Sequence, residues 1–216
     1  MDILCLPTYI INLKKRTERL THVLNEFKDK EEFKITVIEA VEDSVGAAGL
    51  WKSMIKIINL AIENNEDVIV LCEDDHQFTK NYNKEFLFEN IVDAYNQGAD
   101  ILCGGISGGF GHVLPLTKNR FWIDNYWCNQ FIVIYKSFYQ TMLETEFDRT
   151  KKVDNTLSEL TSNKMVLYPF ISEQKFFGYS DVTKYNQDHP EWTQNRFAMA
   201  SEKLQVIQEV YRYYYE

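Results

Sequence analysis

The apolar positions of this 216-residue chain alternate between two patterns. The run YIINL, Tyr9 to Leu13, is apolar on nearly every position, which predicts a strand covered on both faces. Directly after it, KKRTERLTHVLNEFKDK sets Leu20, Val23, Leu24 and Phe27 at helical spacing, with Thr17 as the predicted N-cap. A second strand is predicted from Lys34 to Glu39, then a loop AVEDSVGAAG. A helix follows from near Leu50, carrying Trp51, Met54, Ile55, Ile58, Ala61 and Ile62 on one side and stopping at Asn64 and Asn65. The run DVIVLC, Asp67 to Cys72, predicts a third strand that leads straight into Glu73, Asp74, Asp75 and His76. A helix from Lys84 to Gln97, the strand ADILC and the glycine-rich GGISGGFG (residues 104 to 111) complete the regular half.

The second half is less periodic. QFIVIY (130 to 135) predicts a strand, Ser137 to Glu146 a short helix, NTLSELTSNK after Asp154 another helix, and MVLYPF a last strand; a helix starts near Gln194 and ends in EVYRYYYE. Strands alternating with helices of this length predict an α/β fold with a mainly parallel sheet, in which ligands bind beyond the carboxyl ends of the strands. No repeat or linker interrupts the pattern, so a single domain over residues 1–216 is expected.

Composition agrees: 45% hydrophobic residues in a chain of this length bury roughly 70% of the unfolded surface without staples. The net charge of −9 has the wrong sign for a phosphate backbone, which argues against nucleic acid as a partner. Cys5, Cys72, Cys103 and Cys128 lack the spacing of ligand pairs and read as free thiols, two of them ending buried strands. That usage, the absence of a signal-peptide pattern and the absence of an 18-residue apolar run predict a cytoplasmic protein. The tyrosine-rich tail leaves peripheral membrane contact or a homo-oligomer open.

The acidic cluster is the first candidate for chemistry. Three adjacent carboxylates at the mouth of a buried strand repel one another unless a cation compensates, and oxygen ligands suit Mg2+ or Mn2+; the alternative is a solvated acidic turn. In an extended backbone Glu73 and Asp75 face one side and Asp74 the other. The glycine-rich segment lacks the spacing and helix of a dinucleotide fingerprint, and stands as an active-site loop or a plain surface loop. Among His22, His76, His112 and His189, which form no paired motif, His76 and His189 are retained as candidate ligands. Lys14, Lys15, Arg16 and Arg19 place positive charge at the same sheet edge. Asp124, Asp154 and Asp181 are candidate bases. Trp122, Tyr126 and Trp127 are either sugar-stacking aromatics or core.

YIINLKKRTERL, AVED, GAAGLWKSMIKIINLAIE and VIVLCEDDHQF together resemble glycosyltransferase family 25, the lipooligosaccharide-type galactosyltransferases and their collagen-glycosylating relatives. QFIVIYKSFYQTML, Asp154 and the stretch Gln174 to Asp181 resemble later parts of the family pattern. Two departures stand out: Gly49-Leu50-Trp51-Lys52-Ser53-Met54 replaces a Gly-Cys…Ser-His helix start, and Glu42 replaces an Asp followed by Gly. The resemblance implies a GT-A-like, Rossmann-type nucleotide-sugar-binding domain and a UDP-sugar donor. It also implies Mn2+- or Mg2+-dependent, inverting transfer of a hexose, galactose or glucose, to a glycan or lipid-linked saccharide. By position it puts Ile11, Asn12, Leu13, Arg16 and Arg19 at the nucleotide, Ala40 and Glu42 near base or ribose, and Glu73 and Asp75 at the metal and diphosphate. Asp74 is counted with the nucleotide-binding residues, His189 with the metal ligands, and Asp154 and Asp181 as bases. A catalytically silent nucleotide- or glycan-binding domain, or a metal-dependent phosphatase, are the alternatives.

Overall fold

A computed structural model describes residues 5–178 and 192–215. Asp181 and His189 lie outside the described residues. The first half forms β1 (Leu6–Asn12), α1 (Thr17–Glu26), β2 (Phe33–Glu39), α2 (Gly46–Glu63), β3 (Val68–Glu73), β4 (His76–Phe78), α3 (Lys84–Asn96) and β5 (Ile101–Cys103). The second half forms β6 (Val113–Thr117), β7 (Arg120–Ile123), β8 (Phe131–Tyr135), a 3-10 turn (Lys136–Phe138), α4 (Tyr139–Glu144), α5 (Val153–Leu160), β9 (Lys164–Leu167), β10 (Ser172–Gln174) and α6 (Trp192–Tyr215).

Eight strands make one sheet in the order β2-β1-β3-β8-β5-β9-β7-β6. The pairings β2-β1, β1-β3 and β5-β9 are parallel, while β8 and β7 run against the other six strands. The α/β class predicted, with a central sheet whose strands mostly run one way, is the one observed, with β8 as an antiparallel insertion at its centre. Its strands are apolar on consecutive positions because both faces are covered. Ile69 and Leu71 of β3 face α2, α4, α5 and α6 in one core layer, and Val70 and Cys72 face α1 and α3 in the other. Cys72 and Cys103 are fully buried, as expected for strand-end thiols.

Several local expectations are corrected. The first strand starts three residues before Tyr9 and ends at Asn12. Thr17 is the first helical residue, with Arg16 at the cap position and no side-chain cap. Helix α2 starts at Gly46 rather than Leu50, because Asp43 accepts the Val45 N–H at 2.9 Å just ahead of it and the small residues 46–49 let it approach the preceding loop. A Cβ at Gly49 would stand 2.5 Å from the Val41 carbonyl oxygen. The helix expected over Ser137 to Glu146 splits into the 3-10 turn and six-residue α4. Helix α5 includes Asp154 and stops before TSNK, where Thr161 turns extended and, with Asn163, hydrogen-bonds Asp100. The hairpin β6-β7 has no clear apolar period, since β6 is the last strand of the sheet and tolerates Pro115 there.

Candidate active site

The carboxyl ends of β1, β2 and β3 open into a cavity of about 590 Å³. Because β8 runs the other way, its N-terminal end meets the same edge, and the sheet order sets the order of groups along the wall. The β2-β1 end presents Leu13, Lys15, Ala40, Glu42, Asp43 and Leu50. The middle presents Glu73, Asp74 and Asp75. The β8-β5 end presents Ser107, Trp127, Asn129, Asp154 and Asn155. This volume lies within the range of small-molecule sites.

The acidic cluster is buried, not a solvated turn: Asp74 and Asp75 are 8% and 6% exposed. Asp74 accepts from Asn12 Nδ2 at 2.8 Å and from Arg19 at 3.0 Å. Asp75 accepts from Gln174 Nε2 at 2.7 Å and from Arg19 at 3.4 Å, while its Oδ1, fully buried, has no hydrogen-bond partner. Burial, reinforced by Asp75 and Asp74, pushes Glu73 well above the usual carboxylate range. Burial and the neighbouring Asp74 push Asp75 up to about 6 against the opposing pull of Arg19. Two crowded carboxylates whose ionised forms are disfavoured by burial and by each other, one with an orphaned oxygen, are a fit for an oxygen-seeking divalent cation. Glu73 and Asp75 supply the donors. Among the described residues no group of three or more His, Cys, Asp or Glu side chains is gathered as a metal cage.

Asp154, at the start of α5, accepts the Cys128 N–H at 3.2 Å and the Asn155 N–H at 2.9 Å, and burial raises its pKa. Its charge in turn raises that of Glu73. Of the other base candidate described, Asp124 is removed from this wall: it accepts from the Gly111 and His112 N–H groups and the His112 ring.

The remaining sequence candidates separate. Ile11, Leu13, Arg19, Ala40, Glu42 and the three acids line the cavity. Asn12 is buried behind Asp74 and Arg16 lies off the wall. Glu42 sits at the rim, paired with Lys15 at 2.9 Å. His76 is fully buried among Phe27, Phe78 and Phe131, bonded to Ser172 Oγ, and burial lowers its pKa, so it holds β4 to β10 and is not at the cavity. Tyr126 is fully buried and Trp122 donates to the Ser162 carbonyl away from the cavity; of the three aromatics Trp127 alone lines it. The glycine-rich loop has its reason here. Gly108 and Gly109 take φ of 125° and 96° and lie against Trp127, whose N–H bonds the Gly108 carbonyl. Asp43, Gln174, Asn129 and Asn155 were not singled out by the sequence; Asp43 and Gln174 fell within stretches resembling family 25, and Asn129 and Asn155 did not.

No protein-family model matches the chain, and no curated protein does. Among solved structures, A197 from STIV is similar at 12% identity, with 79% of this chain and 85% of that one covered and a TM-score of 0.52. A glycosyltransferase involved in glycosylation of the major capsid of PBCV-1 aligns at 11% identity over 75% and 81% of the two chains, with a TM-score of 0.47. UDP-glucose pyrophosphorylase complexed with UDP-glucose aligns at 10% identity over 93% and 81%, with a TM-score of 0.46. The first of these likenesses is one of fold.

Proposed function

We propose that this chain is a metal-dependent, inverting hexosyltransferase that moves galactose or glucose from a UDP-sugar to a glycan or lipid-linked acceptor in surface-polysaccharide synthesis, as its resemblance to glycosyltransferase family 25 implies. One observation carries the reading: the cavity at the carboxyl edge of the sheet brings the buried acids at the end of β3, including the orphaned Asp75 Oδ1, to the same wall as Asp154. Glu73 and Asp75 are the residues that would hold Mn2+ or Mg2+. When bound, the cation supplies Lewis-acid neutralisation of the leaving diphosphate.

The chain's own groups do the rest. Lys15, Ala40 and Glu42 line the end assigned to the nucleoside, and Arg19, already held by Asp74 and Asp75, keeps positive charge at the diphosphate. Asp154 takes the proton of the attacking hydroxyl, and its raised pKa brings it closer to neutral pH, where a general base is most effective. Asp181, outside the described residues, is the competing base, and His189 the third metal ligand suggested by the sequence.

The deciding experiment is a panel of UDP-galactose, UDP-glucose and their N-acetylated forms, assayed for binding, hydrolysis and transfer with and without Mn2+. Metal-dependent turnover of one donor that Asp75→Asn abolishes is expected. UDP binding indifferent to metal would sink the role of Asp75; donor binding without turnover would favour a silent domain, and phosphate release from a phosphomonoester a phosphatase.

A further inference from the structure

The end of the cavity farthest from β2 carries polar atoms with no protein partner. Asn129 is 5% exposed, lines the cavity, and its buried Oδ1 accepts no hydrogen bond. Asn155, also on the wall, has a buried and equally unpartnered Oδ1. The two residues come from segments that meet at this end of the cavity: the Cys128 N–H, one residue before Asn129, bonds Asp154, one residue before Asn155. A buried amide oxygen without a protein partner is costly, so two of them on one wall mark a place suited to a hydrogen-bonding ligand.

The rest of this end fits one class of ligand. Trp127 supplies an apolar wall, fixed by two backbone bonds to the glycine-rich loop (Ser107 N–H to the Trp127 carbonyl at 3.1 Å and Trp127 N–H to the Gly108 carbonyl at 2.9 Å) and by the Arg196 guanidinium 4.6 Å from its ring centre. An indole beside neutral amides and a carboxylate matches a pyranose, which has apolar C–H faces and a rim of hydroxyls that both donate and accept. Glu73 and Asp75 stand in the middle of the wall, so a sugar at this end lies across the acids from the end assigned to the nucleoside.

We propose that the β8-α5 end of the cavity is the acceptor subsite, and that Asn129 and Asn155 hold hydroxyls of an acceptor pyranose packed on Trp127 so that a neighbouring hydroxyl meets Asp154. This rests on the transferase reading, and it names residues that set acceptor choice while leaving the nucleotide's contacts untouched.

The test is saturation-transfer NMR on the full chain with methyl galactopyranoside, methyl glucopyranoside and methyl N-acetylglucosaminide, alone and with UDP plus Mn2+. At least one pyranoside is expected to bind without displacement by UDP. Asn129→Ala and Asn155→Ala should each raise its Kd about tenfold, equivalent to about 1.4 kcal/mol, and Trp127→Ala should remove the signal. Because Asn129 Oδ1 has no partner to strand, Asn129→Ala should melt no lower than the parent. Displacement of the pyranoside by a UDP-sugar but not by UDP would assign these residues to the donor's sugar and overturn the proposal. So would unchanged affinity in both amide variants, or no binding of any of the three. Calorimetry of UDP with Mn2+ on the same samples tests the transferase reading by itself: a pyranoside bound through Asn129 and Asn155 with no affinity for UDP would defeat that reading and leave the sugar site standing.

Discussion

Arg149 donates two hydrogen bonds to Asp43, at 2.6 and 3.2 Å, across 106 positions of sequence. Asp43 stands in the loop after β2 at the nucleoside end, and Arg149 stands in the segment that leads into α5 and Asp154. Asp43 also accepts from Lys52 at 2.7 Å and from the Val45 N–H that opens α2. The Arg149 and Lys52 bonds hold its carboxyl far below the usual range, so it stays charged wherever the chain is folded. Trp51 stacks on Phe147 beside this contact, with ring centres 5.4 Å apart. The two ends of the cavity are thereby fastened to each other at the entrances of α2 and α5, helices that share one core layer.

Arg149→Ala should therefore act on both ends at once. The expected outcome is a severalfold weaker Kd for UDP by calorimetry together with a raised KM for acceptor, at nearly unchanged melting temperature, since Arg149 itself is half exposed. A purely local surface pair would change neither constant.

Gly105→Ala probes the support of Asp75. A Cβ at Gly105 would fall 2.0 Å from the Ser172 carbonyl oxygen, a backbone atom that cannot swing aside, so β10 must shift. Gln174, at the end of β10, then loses its 2.7 Å bond to Asp75. Overpacking of this kind costs roughly 1–3 kcal/mol, read as a lower melting temperature, and Mn2+ affinity should fall with it. Ser107→Ala, on the same loop but with no such clash, is the comparison.

What the sequence made legible follows from range. DVIVLC reads as a strand because a doubly covered strand is apolar on every position, and the three acids are conspicuous because charge begins where that strand leaves the core. The β4-β10 pair is hidden because its partners are short and about a hundred positions apart, and Gln174 acquires meaning only from Asp75, 99 residues away. Asn129 and Asn155 are ordinary polar residues until burial without a partner distinguishes them. Asp154 and Asp124 look alike in sequence; the first is brought to the cavity by α5, and the second is consumed by His112 and its own loop.

The acidic cluster also sets how metal-free stability responds to pH. Asp75 keeps its proton up to pH about 6 in the folded chain but releases it near 3.9 when unfolded. Between those values the native state binds more protons, so its stability falls as pH rises, and below them the difference vanishes. Glu73, shifted the same way, adds to the slope. The melting temperature in chelator should accordingly decline from pH 4 to above 6, and the increment given by Mn2+ should grow over the same interval, because a cation favours the ionised pair. In Asp75→Asn the decline should shrink and the Mn2+ increment disappear.

The base assignment makes the sharpest kinetic demand. A general base must be ionised to accept a proton, so kcat should rise with pH through the pKa of Asp154, which burial places above the usual carboxylate range. Asp154→Asn should lower kcat by roughly 10²- to 10⁴-fold and flatten that acidic limb, while leaving the Kd for UDP in place, since the assigned nucleotide contacts lie at the other end of the wall. Asp181→Asn, measured beside it, should keep the limb. If the limb instead persists in Asp154→Asn and is lost in Asp181→Asn, the base is Asp181, and Asp154 is left with holding the Cys128 N–H and the turn that presents Asn129.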